Sequence, residues 1–213
     1  AHCDLGGALC DSGRLDEAQA SLERAIALDP QHAPAYIELG VVYQRRGQHD
    51  RAIDWFRKAV GLQTGDASLF LHWGRSLAAT CQIDKAVRSY EQAIRLKSNY
   101  PAAHLALGQC YLDDQRYEDA EACLRQAIAL DPQFVAAHYQ LGCALQRLGR
   151  DAEACAAWRM CLELDESDAA ALVQLATAQR LIGHTREALE LLRRALSAQP
   201  QRADLHTLLG SWL

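Results

Sequence analysis

The sequence lacks several features that would each point to a class of protein. It has no apolar run of about 18 residues, so we expect no segment to span a membrane. Its first residues do not form a signal peptide, which would place an apolar stretch after a basic one. Lysine and arginine (22) are fewer than aspartate and glutamate (27), and the formal net charge is −5. This balance argues against a nucleic-acid partner, because such proteins usually carry a basic field.

Motifs of catalysis and of metal or phosphate binding are also missing. The sequence contains no C-x-x-C pair, no glycine-rich phosphate loop, no H-E-x-x-H and no G-x-S-x-G. We therefore expect no enzyme activity, no cofactor and no metal. The eight cysteines are interpreted as small packing residues in a reducing cytoplasm. Three lysines and a single asparagine, Asn99, suggest a GC-rich bacterial genome. The chain does not begin with Met, and we expect it to be part of a longer protein.

Residues that recur every 34 positions dominate the sequence. One column is glycine, with Ala176 filling its single gap: Gly6, Gly40, Gly74, Gly108, Gly142 and Gly210. A second column is alanine throughout: Ala18, Ala52, Ala86, Ala120, Ala154 and Ala188. No insertion or deletion interrupts the period. The chain is therefore a tandem array of repeats rather than one globular core.

Apolar residues within each repeat have helical spacing. In the second repeat, Tyr36, Leu39, Gly40 and Tyr43 stand at i, i+3, i+4 and i+7, and a second set follows after Gly47. This pattern predicts two helices of about fourteen residues joined by a short turn. Proline cannot extend a helix, so we expect the second helix to stop at Pro30, Pro132 and Pro200 in three of the repeats.

The repeat resembles the tetratricopeptide repeat family, whose motif matches Tyr36, Leu39, Gly40, Tyr43, Ala52, Phe56 and Ala59. The resemblance covers the whole chain. It implies an all-α fold, a right-handed superhelix (solenoid) of helix-turn-helix repeats with a concave groove lined by the first helices. We assign a single solenoid, 1–213, with repeats 1–32, 33–66, 67–100, 101–134, 135–168 and 169–202 and a partial repeat 203–213. Thr64, Ser98 and Glu166 depart from the motif, which has a terminal proline at their position.

The resemblance also implies which residues line the groove. The residues concerned lie three positions before and one position after the glycine column, and one helical turn further along. We call the following set the groove residues: Ile37, Val41, Arg45, Leu71, Arg75, Leu105, Gln109, Tyr139, Arg147, Val173 and Arg180. They form an apolar stripe edged by arginines. Such a surface suits an amphipathic helix or an extended apolar segment whose acidic groups meet the arginines.

Two known uses of the family are disfavoured by the groove residues. Members that hold a peptide's C-terminal carboxylate use lysines and asparagines, and members fused to sugar transferases use a ladder of asparagines. Neither residue type occurs among the groove residues. The same positions can also pack on the first helix of the next repeat, so ordinary core packing is the alternative interpretation.

We expect a non-catalytic scaffold for protein–protein interaction, whose partner is a protein or peptide. Two alternatives stay open, a substrate-recruiting domain of a larger enzyme such as a glycosyltransferase and a self-assembling module. Self-assembly is suggested by the last repeat, where we expect an apolar edge formed by Leu205, Leu209 and Trp212. This edge either belongs to a capping helix or allows end-to-end association. Four histidines share one repeat position, and we interpret them as packing or capping residues: His2, His104, His138 and His206.

Overall fold

The computed structural model describes residues 1–62 and 65–213, which form α-helices joined by short turns. Thr64, one of the departures from the repeat motif, lies outside the described residues. The described ranges hold thirteen helices: α1 (His2–Asp11), α2 (Leu15–Leu28), α3 (Ala33–Arg45), α4 (His49–Gly61), α5 (Ala67–Ala79), α6 (Ile83–Leu96), α7 (Pro101–Asp113), α8 (Tyr117–Leu130), α9 (Val135–Arg147), α10 (Asp151–Leu164), α11 (Ala169–Leu181), α12 (Thr185–Ala198) and α13 (Ala203–Trp212).

The helices follow the sequence period. The full-length first helices α3, α5, α7, α9 and α11 have 13 residues each, and the second helices have 13 or 14. The predicted pair of helices of about fourteen residues is confirmed. Pro30, Pro132 and Pro200 each lie two residues beyond the end of a second helix, as their missing N–H and fixed φ require.

The turn inside each repeat uses the left-handed region of backbone conformation. One repeat position has a positive φ in every repeat: Gly13 (φ 76°), Gly47 (72°), Cys81 (58°), Gln115 (61°), Gly149 (72°) and Gly183 (88°). Glycine adopts this conformation without steric cost, whereas a side chain meets its own backbone there. Cys81 and Gln115 are therefore strained positions of an otherwise glycine-based turn.

The glycine column allows the two helices of a repeat to approach closely. A Cβ atom at Gly40 would lie under 3.0 Å from the ring of Phe56, and one at Gly142 would meet the indole of Trp158 at similarly short range. Both aromatic side chains are fully buried. The small residue on one helix thus makes room for the large residue on the other.

Contacts between helices divide the chain into two compact units, Ala1–Cys110 and Tyr111–Leu213, and the boundary lies within α7. In each unit, first and second helices of a repeat pack together, and a second helix also packs on the following first helix. The buried core of the first unit includes Leu39, Val42 and Phe56. The core of the second unit includes Leu172 and Leu192.

The last helix, α13, packs on the core of the second unit. Leu205 and Trp212 are only 1% and 8% exposed, and Leu209 is half-buried. The expectation that Leu205 and Trp212 present an apolar edge is therefore wrong, because both side chains turn toward α12 and its neighbours. Among the described residues, no helix combines the length and the hydropathy that crossing a bilayer would demand.

Candidate functional site

Three groove residues of the first unit belong to its core. Ile37, Val41 and Leu71 are 4%, 8% and 3% exposed. Neighbouring first helices cover them, so they leave almost no apolar surface for a ligand. For these three residues the structure favours core packing over a place in an open apolar stripe.

The remaining groove residues of the first unit are accessible. Leu105 and Gln109 on α7 are half-buried, whereas Arg45 and Arg75 are exposed. Arg45 is already engaged, since its guanidinium donates to the backbone oxygen of Cys10 and, at 2.6 Å, to the carboxylate of Asp11. Arg75 makes no hydrogen bond or ion pair with any residue in the described ranges. It is thus a cation that a ligand could pair with.

Polar side chains link successive first helices in the first unit. Gln44 on α3 donates through Nε2 to the backbone oxygen of His72 and to Oγ of Ser76 on α5, both at 2.9 Å. Burial lowers the pKa of His72 to about 4, with smaller contributions from the positive charges of Arg75 and Arg45. The imidazole is therefore neutral at physiological pH, and it has a structural role beside Arg75.

Glu38 is a carboxylic acid of the same surface that the groove residues did not include. It lies one position after Ile37 on α3 and is half-buried. Burial raises its pKa, as does the nearby carboxylate of Asp11, while Arg45 opposes the rise. The signal in the sequence was weak, because a single glutamate on a helix is usually solvated.

In the second unit, Tyr139 and Val173 remain partly accessible. Burial raises the pKa of Tyr139 to about 12, with a smaller contribution from Cys143. The indole of Trp158 donates to the backbone oxygen of Tyr139 at 3.2 Å. The tyrosine backbone is therefore bound from α10, and the residue is half-buried. Such a partly accessible aromatic side chain is a common anchor for a protein ligand.

The two groove arginines of the second unit differ in the same way as those of the first. The guanidinium carbon of Arg180 lies 4.7 Å from the ring centroid of Trp212, in a cation–π contact. Arg147 ends α9, is exposed, and has no hydrogen bond or ion pair to the part of the chain that the structure describes. Each unit therefore contains one engaged and one unpaired groove arginine.

The histidine column binds backbone oxygens. Nε2 of His138 lies 2.9 Å from the carbonyl oxygen of Pro132, and Nε2 of His206 lies 2.9 Å from that of Pro200. Tyr36 occupies the same repeat position and donates its hydroxyl hydrogen to Pro30 at 3.0 Å. These side chains tie α3, α9 and α13 to the loop that precedes each of them. In residues 1–62 and 65–213 no three His, Cys, Asp or Glu side chains are grouped to hold a metal ion.

The cysteines of the described chain are all free thiols. Burial raises the pKa of five of them: Cys3, Cys10, Cys143, Cys155 and Cys161. A raised pKa keeps the thiol protonated at neutral pH and lowers its nucleophilicity. These five thiols are therefore packing residues rather than nucleophiles.

Comparison with known proteins places this arrangement among repeat proteins. A family model described as the C-terminal domain of cilia and flagella-associated protein 70 matches residues 34–213, and a tetratricopeptide repeat model matches residues 1–64. No curated protein matches the chain.

Solved structures share the fold. PilW, a type IV pilus biogenesis factor, is 22% identical with a TM-score of 0.88, and the match covers 98% of this chain and 96% of PilW. YrrB is 22% identical with a TM-score of 0.69, over 89% of this chain and 97% of YrrB. A chain of the APC/C hetero-tetramer Cut9–Hcn1 is 21% identical with a TM-score of 0.84; the match covers all of this chain but only 42% of that one. The predicted all-α repeat fold is confirmed.

Proposed function

The chain belongs to the tetratricopeptide repeat family, whose members are generally scaffolds for protein–protein interaction, and we propose that it binds an acidic peptide or amphipathic helix through its groove residues without catalysing a reaction. YrrB, which shares the fold, is described as having an unusual peptide-binding site. The partner we propose is a protein segment that combines apolar side chains with carboxylates.

The pair of unpaired arginines, Arg75 and Arg147, is the observation that carries this proposal. Arg45, another groove arginine, has a carboxylate partner in Asp11 at 2.6 Å. Arg75 and Arg147 have none among the described residues. A carboxylate of a ligand can form two parallel hydrogen bonds with each guanidinium.

Accessible apolar and aromatic groups accompany the two arginines. Tyr100 is partly accessible; burial raises its pKa, and the positive charge of Arg75 partly offsets the rise. Arg147 likewise opposes the rise that burial causes in the pKa of Cys143, which lies one helical turn after Tyr139 on α9. Each unit thus offers a ligand an unpaired arginine and a partly accessible tyrosine, the two residue types that most often dominate binding energy.

A selection from random 12-residue peptides displayed on phage tests the proposal. We expect the selected peptides to place Asp or Glu beside large apolar residues. Their affinity should fall at least about tenfold for Arg75→Glu/Arg147→Glu, because each lost pair is charge-assisted and its replacement is repulsive.

The matched control is Arg24→Glu/Arg193→Glu, which makes the same change in net charge at two exposed arginines on second helices. This variant should bind as the wild type does. Equal affinity of the selected peptides for wild type and for Arg75→Glu/Arg147→Glu would contradict the proposal. Leu71→Glu is unsuitable as a groove variant, because that side chain is 3% exposed and the charge would unfold the repeat.

Recruitment of substrates for a larger enzyme, self-assembly and a cytoplasmic location stay predictions. A search of the full-length gene for a catalytic domain tests the enzyme-recruiting role, and light scattering over a concentration series tests self-assembly. A cytoplasmic location in a bacterium agrees with eight free thiols. Localisation of a tagged full-length protein measures it directly.

A further inference from the structure

A cleft of about 250 Å³ lies between α5 and α6 of the first unit. We call it the α5–α6 cleft. It lies below the ~300–1,000 Å³ typical of sites for small molecules, so its size suits one apolar side chain. None of its lining residues is a groove residue. They are chiefly Phe70, Trp73 and Leu77 from α5, and Lys85, Arg88 and Gln92 from α6.

Trp73, one of the residues that line this cleft, has an unsatisfied donor. Nε1 of Trp73 is buried and has no hydrogen-bond acceptor among the described residues. The rings of Trp73 and Phe70 lie with centroids 6.3 Å apart and form an aromatic wall. Buried donors normally have a partner, and an acceptor brought by a bound ligand would supply the missing one.

Cations stand at the rim of the cleft without ion pairs. Nζ of Lys85 donates only to Oε1 of Gln82, at 2.7 Å, and Arg88 makes no hydrogen bond or ion pair in residues 1–62 and 65–213. Both side chains are exposed. The rim therefore offers two positive charges next to an aromatic wall.

The sixth repeat contains a cleft at the same repeat positions, in which two glutamates replace the two cations and two arginines, Arg159 and Arg194, also contribute to the lining. It has a volume of about 290 Å³, and its lining includes Leu175, Glu187 and Glu190, three repeat periods after Trp73, Lys85 and Arg88. The cleft itself is thus a product of repeat packing. The indole donor and the two cations are specific to the third repeat.

We propose that the α5–α6 cleft is a second docking site, which takes a large apolar side chain of a partner protein next to an acidic residue. The apolar side chain packs on Phe70 and Trp73, and a carboxylate beside it pairs with Lys85 and Arg88. An oxygen of the bound segment accepts the hydrogen of Trp73 Nε1. This site goes beyond the proposed function, since it uses a different set of residues.

Labelled peptides of 12 residues test the site by fluorescence anisotropy. The first has one central Leu flanked by Glu on both sides; in the second Ala replaces Leu, and in the third Lys replaces Glu. The wild type should bind the first peptide at least about tenfold more tightly than either of the others. Lys85→Glu/Arg88→Glu, which installs the residues of the sixth repeat, should weaken that binding at least about tenfold and reverse the preference toward the Lys peptide.

Three further measurements distinguish binding in the α5–α6 cleft from binding in the groove and from attraction by net charge alone. Arg24→Glu/Arg193→Glu should bind the first peptide as the wild type does, because it makes the same change in net charge at residues that do not line the α5–α6 cleft. Trp73→Phe keeps an aromatic ring but removes the donor, and should weaken binding about threefold to tenfold. Among the four tryptophan indole N–H signals in an NMR spectrum, that of Trp73 should shift on binding.

Any of four results overturns the proposal. The first is that the wild type does not bind the first peptide at about 1 mM, and the second is that it binds the Ala peptide equally well. The third is that Lys85→Glu/Arg88→Glu still binds the first peptide. The fourth is that the wild type is a dimer and that Lys85→Glu/Arg88→Glu is not. The last result would mean that a second copy of the chain occupies the cleft. Circular dichroism checks that the variants fold, and the exposure of Lys85 and Arg88 predicts that they do.

Discussion

Nδ1 of His72 lies 3.0 Å from Oε1 of Gln44, while Nε2 of the same Gln44 amide donates to the backbone oxygen of His72 at 2.9 Å. The glutamine thus binds both the side chain and the backbone of one residue on the next first helix. Because Oε1 is an acceptor, Nδ1 of His72 carries the proton of the neutral imidazole. This contact couples the second and third repeats of the first unit.

Stability should depend on pH through His72. Its pKa is about 4 in the folded chain and about 6.5 when unfolded, so between these values the unfolded chain binds more protons. The stabilisation is complete above the unfolded pKa and is lost as pH falls toward the folded one. Between pH 7 and pH 5 we expect the free energy of unfolding in urea to drop by about 2 kcal/mol from this group.

The variant His72→Gln isolates the contribution of this histidine, because glutamine does not titrate. Its free energy of unfolding should fall less than that of the wild type over the same pH range. Parallel pH profiles for the two proteins would show that His72 does not titrate as proposed.

Gly142→Ala should destabilise the second unit by about 1–3 kcal/mol, because the new methyl group would overlap the indole of buried Trp158. Gly210 stands in the same repeat column, but nothing lies within 4 Å of the position its Cβ would take. Gly210→Ala should therefore be neutral or gain up to about 1 kcal/mol from helix propensity. Thermal unfolding followed by circular dichroism compares the two variants, and equal melting temperatures would contradict the packing argument.

Cys81→Gly and Gln115→Gly should each stabilise the protein by about 0.5–1 kcal/mol. Both residues have a positive φ, 58° and 61°, and the relief of this strain exceeds the conformational entropy that glycine adds to the unfolded chain. The opposite change at an equivalent turn, Gly47→Ala, should destabilise by about 1 kcal/mol. The midpoints of urea unfolding measure all three, and a loss of stability in both glycine variants would show that the turns are not strained.

Trp212→Ala should destabilise the second unit by about 3 kcal/mol, since the ring is 8% exposed and also contacts Arg180. The adjacent Leu213 is 80% exposed, and Leu213→Ala should leave stability within about 0.5 kcal/mol of the wild type. Hydrogen exchange should show faster exchange in α13 and α12 of the tryptophan variant. Unchanged exchange there would mean that α13 packs differently from the structure.

The fold could be predicted because each repeat carries its own signal. The glycine column opposite large residues such as Phe56 and Trp158 requires close helix pairs, and prolines mark where second helices end. The strained turns at Cys81 and Gln115 could not be predicted from residue type alone. Their positive φ follows from the repeat position they share with Gly47 and Gly149.

The candidate site was predicted only in part, because burial depends on the neighbouring helix. Ile37 and Leu71 have the same residue character and repeat position as Val173, yet they are 4% and 3% exposed whereas Val173 stays partly accessible. The pairing of Arg45 with Asp11, at 2.6 Å, joins residues 34 positions apart. A sequence pattern predicts which residues are neighbours on the same helix. It does not predict which side chain contacts the adjacent helix.

The bond from Gln44 to His72 and Ser76 bears on how the repeat array could have changed through duplication and loss. Removing residues 67–100 would keep every helix in phase, but Ala106 and Cys110 would then face Gln44 in place of His72 and Ser76. The amide would lose the imidazole and hydroxyl that it now binds. Repeats of this chain are thus interchangeable in backbone but not in order, because the imidazole and hydroxyl that Gln44 binds belong to the third repeat alone.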